Sequence, residues 1–262
     1  MGYLFDADTK VDRIDDGRFA ATISPDWDAL AGVNGGYASA VCLRALKAAL
    51  PQPDPLVVST FFVKPVKHAP ARLVTETVRE GRRVATGSVS MFQDDAEVIR
   101  QIASFGMLDA SQGLHFMGEK APDLPPPEEC VNPMDVGAPL PGIPIVDRVD
   151  YRAEKVPGWV TGTPSNDPQS EFWMRLADGR EQDLISLAFM VDAAAPAVLD
   201  IGQLSTTMEL TVHLRAHPAP GWLACRLRTR FVSGGFHEED MDIFDSTGEL
   251  VAQSRQLGML LS

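Results

Sequence analysis

The sequence predicts an α+β fold in which one small domain is present twice. Residues 98–108 and 250–260 are similar strand-like segments, and both end in Gly-Met-Leu, at an offset of 152 residues between Gly106 and Gly258. Upstream, the strand-like residues 61–65 correspond to residues 211–215. This spacing is far longer than the ~20–50-residue period of a solenoid, so we interpret it as a duplicated domain.

Proline marks the boundary between the two copies. Eight prolines fall between Met117 and Val146, and a proline fixes φ and removes the backbone donor that helices and central strands need. We therefore predict an N-terminal domain at residues 1–116, a proline-rich linker at 117–147 and a C-terminal domain at 148–262.

In the first half, a strand at residues 19–23 precedes a helix from about Gly35 to Leu50. Asn34 is the expected N-cap of this helix, and Pro51 stops it. Four strands follow, near residues 56–63, 71–80, 83–93 and 97–108, and the turn at 94–96 joins the last two as a hairpin.

The second half repeats this order. Strands near residues 149–154 and 171–176 precede an apolar helix from about Asp183 to Ala194. The last four strands are expected near residues 208–214, 223–231, 239–244 and 249–260, and apolar residues alternate with arginine along the second of these. A helix followed by long antiparallel strands, in two copies, predicts a double hotdog in which the two sheets pair at their edges into one.

Composition excludes several classes of partner. The net charge is −13 and no basic stripe is present, so nucleic-acid binding is not expected. No apolar run approaches the ~20 residues of a spanning helix, and no signal peptide is recognisable, so no membrane association and a cytoplasmic location are expected. The three cysteines, Cys42, Cys130 and Cys225, form neither a disulfide framework nor a zinc pattern.

Several kinds of catalytic machinery are missing from the sequence. There is no G-x-S-x-G elbow, no glycine-rich phosphate loop and no pair of histidines at metal-binding spacing. We therefore expect no serine nucleophile, no metal and no cofactor.

Asp192 is the strongest candidate for chemistry. It follows residues 184–191, the most apolar stretch of the chain, so its carboxylate is expected to be poorly solvated. The alternative is that Asp192 is the exposed end of a buried helix. Gln256 shares a strand face with Leu250, Ala252 and Ser254, which carries its amide inward, where it needs a polar partner. Thr206 supplies a hydroxyl at the same end, so Asp, Thr and Gln together are able to hold and deprotonate a water.

Gly35 and Gly36 open the first helix. Backbone N–H groups at a helix N-terminus favour an anion or a developing oxyanion. Equally, glycines at this place allow close packing of the helix against its neighbours. Both interpretations are kept at this point.

These residues resemble type II acyl-CoA thioesterases. In the first half the resemblance rests on residues 34–37, 61–65, 81–85 and Gln93, and in the second half on Asp192, residues 205–206, Arg215 and residues 251–256. It implies a double hotdog that hydrolyses acyl-CoA to the free acid and CoA, with an Asp–Thr–Gln set that orients a water and without metal or covalent serine. By position these are Asp192, Thr206 and Gln256, although the adjacent Thr207 exchanges with Thr206 if the alignment slips by one residue.

The resemblance also assigns the substrate-binding residues. Asn34, Gly35, Gly36 and Tyr37 are expected at the oxyanion and acyl channel, but Tyr37 stands where the family usually has Gln, which leaves the substrate open. Arg82 and Arg83 are either contacts for CoA phosphates or a solvated turn. A homo-oligomer is expected from the resemblance alone.

Two alternatives to hydrolysis remain. A hotdog hydratase would need an active-site histidine, and residues 166–168 lack one. A non-catalytic acyl- or CoA-binding hotdog is the other alternative. No counterpart of Asp192 is evident in residues 35–50, and Gln256 aligns with Ser104, so we expect one active site per chain, built mainly from the second repeat.

Overall fold

The structure is a computed structural model that describes residues 2–110, 113–136 and 142–261. Within these residues the chain forms three α-helices and fifteen β-strands. The helices are α1 (Leu4–Asp8), α2 (Gly35–Ala49) and α3 (Leu184–Met190). The strands of the first half are β1 (Asp12–Asp15), β2 (Arg18–Thr22), β3 (Asp28–Ala29), β4 (Gly32–Val33), β5 (Asp54–Phe62), β6 (Pro70–Glu80), β7 (Ala85–Gln93) and β8 (Ala96–Gly106). Those of the second half are β9 (Val149–Arg152), β10 (Gln169–Leu176), β11 (Leu204–Leu214), β12 (Leu223–Arg228), β13 (Val232–Ser233), β14 (Phe236–Phe244) and β15 (Leu250–Leu261).

One antiparallel sheet runs through both halves of the chain. Twelve of its strands follow the order β1-β2-β6-β7-β8-β5-β11-β15-β14-β12-β10-β9, and β13 pairs with β14. The two halves join where β5 pairs with β11, and the hydroxyls of Ser59 and Thr211 hydrogen bond across this seam at 2.8 Å. Edge strands expose unpaired backbone groups, and this pairing removes one edge from each half. The predicted double hotdog is therefore confirmed.

Helix α2 forms because its sequence suits both ends and the buried middle. The Asn34 side chain accepts a hydrogen bond from the Tyr37 N–H at 2.8 Å, as an N-cap should. The helix is buried over most of its length and packs against β5, β6, β7 and β8. It also contacts α3, so the two helices of the duplicated halves meet.

Helix α3 is shorter than predicted. It begins at Leu184, after a capping box between Asp183 and Ser186, but it ends at Met190 rather than at Ala194. The chain then turns with hydrogen bonds between residues three apart, from the Asp192 N–H to the Phe189 carbonyl at 3.0 Å and from the Ala193 N–H to the Met190 carbonyl at 3.2 Å. Such tightening is common in a last helical turn, and here it places Asp192 just beyond the helix.

The matched strands β8 and β15 do not present equivalent faces at Ser104 and Gln256. Gln256 is buried beside Ser254, whereas Ser104 is only partly buried and bonds outward to Thr86. The fully buried polar residue of β8 is Gln101, which donates to Ser39 and Thr60. Gln256 and Ser104 are therefore not structurally equivalent. The inward residues have odd numbers on β8 and even numbers on β15, so an offset of 152 pairs an inward residue of one strand with an outward residue of the other.

The proline-rich segment packs against the second half. Val131 forms a β-bridge with Ala153, the Trp173 indole donates to the Pro125 carbonyl at 2.8 Å, and Ile145 is buried in the core. Residues 137–141 of the predicted linker lie outside the described residues. The domain boundaries at 116 and 147 stay predictions.

Two general features concern membranes and metals. None of the helices in the described part of the chain is long and apolar enough to cross a membrane. Among the same residues, no group of three or more His, Cys, Asp or Glu side chains is arranged to hold a metal ion.

Candidate functional site

A cavity of about 490 Å³ lies where the two halves meet. Its wall is mostly apolar, which suits an aliphatic chain. The first half contributes Leu30, Val33 and Phe62 among others, the proline-rich segment contributes Ile143 and Val146, and the second half contributes Trp159, Phe172 and Leu227. Asn34, Asp192, Thr207 and Gln256 supply polar groups to the same cavity. The site therefore draws on both halves, although most of its lining belongs to the second half, and the expectation of one active site per chain stays a prediction.

The N-terminus of α2 holds the Asp192 carboxylate. The Gly36 N–H donates to Asp192 Oδ2 at 2.7 Å, and Asn34 Nδ2 donates to the same oxygen at 3.2 Å. Asn34 Nδ2 also donates to the Asp192 main-chain carbonyl at 2.7 Å. The positive end of the α2 dipole favours the ionised carboxylate, so Asn34 caps its own helix and fixes the acid of the other half.

Close approach explains the glycine pair. A Cβ at Gly36 would lie 2.6 Å from the Phe189 carbonyl oxygen and 2.9 Å from Asp192 Cβ. A Cβ at Gly35 would lie 2.8 Å from Phe62 Cζ. The overlap at Gly36 is with a backbone atom, so only glycine fits there, which supports the packing interpretation. The Gly36 N–H is bonded to Asp192, so the expectation that it donates to an oxyanion is not supported.

Burial dominates the acidity of Asp192. Desolvation raises the pKa of this carboxyl from 3.8 to about 6, although the Gly36 N–H and the Asn34 amide act in the opposite direction. A base with a pKa near neutrality is suited to accept a proton from water. Asp192 is partly buried and borders the cavity, so it is not simply the exposed end of a helix.

Thr207, and not Thr206, bonds to Gln256. The Thr207 hydroxyl donates to Gln256 Oε1 at 2.5 Å. On β11, Thr207 pairs with the buried Gly258 whereas Thr206 pairs with the exposed Met259. Thr206 borders the cavity but makes no hydrogen bond to Gln256 in the described structure.

An irregularity in β11 explains the exchange of the two threonines. Between Thr207 and Glu209 the strand gains one residue relative to β15, as in a β-bulge. Alternation counted back from the buried Leu210 would turn Thr206 inward, and the extra residue turns Thr207 inward instead. Of the two threonines that the sequence left open, the geometry therefore favours Thr207.

Glu239 is a buried acid that was not among the predicted site residues. Its side chain accepts from Gln256 Nε2 at 2.6 Å and from the Ala197 N–H at 2.6 Å, and the residue is 3% exposed. Burial raises the pKa of this carboxyl to about 7, and the nearby charge of Asp192 adds to the effect. Its position could have been read from the sequence, because Met241 and Ile243 on the same strand set the inward face and alternation carries it back to Glu239.

Tyr37 and the arginine pair lie elsewhere. Tyr37 is fully buried and stacks on Trp27 at 5.5 Å between ring centroids, and its hydroxyl donates to the Asp8 carbonyl at 2.9 Å. The residues that border the cavity do not include Tyr37, Arg82 or Arg83 in the described part of the chain. A contact of Tyr37 with substrate is therefore not supported, and the exposed Arg82 and Arg83 agree with the alternative of a solvated turn. Lys64 and Lys155 are instead the exposed cations at the cavity.

No histidine borders the cavity among the described residues. His237 is buried, but its ring lies against Gly258, whose added Cβ would come within 2.2 Å of Nε2. This arrangement does not favour the hydratase alternative, which needs a histidine at the substrate.

Comparison with known families shows which family the chain resembles over both halves. The acyl-CoA thioesterase N-terminal domain family matches residues 23–106, and the acyl-CoA thioesterase C-terminal domain family matches residues 127–260. A relative from Talaromyces wortmannii, described as a thioesterase-like protein, is 24% identical over 99% of this chain and 92% of its own length.

Solved structures share the whole architecture. A putative thioesterase II from Thermobifida fusca is 29% identical, with a TM-score of 0.89, and the match covers 99% of this chain and 98% of that protein. A hot dog fold protein of unknown function from Alicyclobacillus acidocaldarius gives the same TM-score at 24% identity and covers 100% and 99% of the two chains. At that identity the second comparison speaks for the fold alone.

Proposed function

Since the chain belongs to the acyl-CoA thioesterase family and is accordingly a thioester hydrolase, we propose that a water held by Asp192 and Thr207 attacks the acyl carbonyl carbon. Gln256 orients Thr207. The observation that carries the proposal is a single cavity bordered by a partly buried carboxylate and by a threonine–glutamine hydrogen bond.

The ionised Asp192 acts as general base. It removes a proton from the water as the water oxygen bonds to the carbonyl carbon, which gives a tetrahedral oxyanion. Collapse of this intermediate breaks the C–S bond, and the proton passes from Asp192 to the sulfur of the departing CoA. General-base catalysis of this kind contributes about 10²–10⁴-fold.

The oxyanion needs a donor other than Gly36. Of the two predicted N–H donors, the Gly36 group is bonded to Asp192. The Gly35 N–H opens the same helix, and Gly35 borders the cavity. A first-turn N–H is a suitable donor to a developing negative charge, so we assign the oxyanion to Gly35.

The cavity wall suits the acyl group, and its cations suit the phosphates of CoA. Lys64 and Lys155 are exposed, and no salt bridge to either is found among the described residues. Ammonium groups bind phosphate as point charges. Lys64 and Lys155 therefore take the phosphate-binding role that the sequence left open for Arg82 and Arg83.

Release of free thiol from a panel of acyl-CoAs tests the proposal. We expect hydrolysis by the wild type, loss of about 10²-fold or more in kcat for Asp192→Asn, and a comparable loss for Gln256→Ala. Because Asp192 must be ionised, kcat/KM should fall about tenfold per pH unit below about pH 6. Absence of thiol release across the panel, or full activity of Asp192→Asn, would contradict the mechanism.

A further inference from the structure

The Glu239 carboxylate, which the mechanism above does not use, lies directly behind Gln256. Glu239 is 3% exposed and Gln256 is 6% exposed, so water does not compete for the hydrogen bond of 2.6 Å between Glu239 Oε1 and Gln256 Nε2. The other carboxylate oxygen accepts from the Ala197 N–H at 2.6 Å, at the start of the 3₁₀-helix Ala197–Ile201. Glu239 does not border the cavity in the described structure.

We propose that Glu239 is a positioning residue that fixes the direction of the hydrogen bonds leading to the attacking water. This inference rests on the proposed function, because it concerns the same Thr207–Gln256 pair. A carboxylate accepts hydrogen bonds and cannot donate them. The Gln256 amide must therefore turn its NH₂ group toward Glu239 and its carbonyl oxygen toward Thr207.

Glu239 acts on the water through Thr207, because the orientation of the Gln256 amide determines which way the Thr207 hydroxyl points. A hydroxyl has one proton, and Thr207 donates it to Gln256 Oε1 at 2.5 Å. The Thr207 oxygen is then only an acceptor toward the cavity. A water that donates one proton to Thr207 and the other to Asp192 keeps a lone pair for the carbonyl carbon, which is the orientation hydrolysis requires.

Two other carboxylates act on Glu239. Burial raises the pKa of Glu239 most, and the charges of Asp192 and Glu238 raise it further, while the Ala197 N–H and the Gln256 amide lower it. The inference concerns the ionised form, so activity is to be measured at about pH 8.5, above the pKa of about 7.

Glu239→Gln separates positioning from a structural role. The new side chain keeps the size of glutamate, and its carbonyl oxygen still accepts from the Ala197 N–H. Its NH₂ group, however, faces the NH₂ group of Gln256, so the Gln256 amide must turn over and donate to Thr207. We expect kcat to fall about 10²-fold at nearly unchanged KM, with no loss of folding stability.

Exchanging the two groups should rescue activity. In the double variant Glu239→Gln/Gln256→Glu, the carboxylate introduced at position 256 accepts both from the amide introduced at position 239 and from Thr207. Thr207 then donates again in the original direction. We expect the kcat of the double variant to be at least about tenfold above that of Glu239→Gln, because restoring the direction of the hydrogen bonds recovers part of the ~10²–10⁴-fold that base catalysis contributes. Glu238→Gln, on the neighbouring residue outside the inward face, should keep wild-type kcat.

A Thr207→Val background completes the test. If Glu239 acts through Thr207, Glu239→Gln should lower kcat far less in this background than in the wild type. An equal loss of kcat in both backgrounds, or wild-type kcat in Glu239→Gln, overturns the inference about Glu239. In either case the proposed function still stands if Asp192→Asn has lost activity. Absence of hydrolysis by the wild type overturns both.

Discussion

Replacement of Asp192 by asparagine should stabilise the folded protein while it lowers kcat by about 10²-fold or more. Asparagine has the same shape as aspartate, and its carbonyl oxygen can accept from the Gly36 N–H and the Asn34 amide as Asp192 Oδ2 does now. The substitution removes only the charge. Burial makes this charge unfavourable in the folded protein and thereby raises the pKa of the carboxyl to about 6.

The size of the effect follows from the pKa. A rise from 3.8 to about 6 corresponds to about 3 kcal/mol of lost stability when the group is fully ionised. Contact of the carboxyl with solvent reduces this to about 1–3 kcal/mol. A carboxyl with a raised pKa costs nothing below its unfolded pKa, and the cost grows as the pH rises from that value to the folded pKa and is constant above it. The gain from Asp192→Asn should therefore be absent below about pH 4 and complete above about pH 7.

Urea denaturation of both proteins between about pH 4 and pH 8 measures this difference. Asp183→Asn is a control of opposite sign. Burial raises the pKa of Asp183, but the Ser186 N–H and Arg180 more than compensate and lower it. Asp183→Asn should thus destabilise the protein at neutral pH and have less effect in acid. A lower urea midpoint for Asp192→Asn at pH 8 would refute the argument that Asp192 is held at a cost for function.

Three further changes test other parts of the site. Thr207→Val should lower kcat about 10²-fold, whereas Thr206→Val should have a much smaller effect, and the reverse order in thiol release would restore the original assignment. Gly36→Ala should destabilise the protein by about 1–3 kcal/mol in urea denaturation, because the new Cβ would overlap the backbone of α3, and the cost of this overlap exceeds the helix-propensity gain of about 1 kcal/mol. In the control Gly118→Ala, the Cβ would meet only the exposed Phe116 ring at 3.5 Å, so stability should change by less than about 0.5 kcal/mol. Lys64→Glu should raise the KM for acyl-CoA several-fold and leave the KM for acyl-N-acetylcysteamine thioesters, which carry no phosphate, unchanged. An equal change of KM for both substrates would exclude a phosphate contact of Lys64.

Much of the fold was predictable because local sequence encodes it. Asn34 and Pro51 bound helix α2, and alternation of apolar and polar residues located the long strands. Alternation also placed Gln256 on the inward face, where it is 6% exposed. Each of these features depends on residues close together in the chain.

The site predictions that the geometry does not support depend on contacts between distant residues. Tyr37 follows the glycine pair in sequence, but the helix turns it away from the cavity into an aromatic cluster with Trp27. The Gly36 N–H is occupied by Asp192, a residue of the other half. Propensity and periodicity carry no information about such pairings, because two segments far apart in the chain create them.

Residue order and periodicity were enough to predict a duplicated α+β domain with an acid at the end of an apolar helix and an inward amide on the last strand. How these groups are held follows from contacts between elements of the folded chain. One extra residue in β11 exchanges Thr206 for Thr207, the junction of the two helices binds Asp192 to Asn34 and Gly36, and Glu239 lies behind Gln256. The physical reason is that periodicity determines the face of a residue within one element, whereas bulges and packing between elements determine its partner.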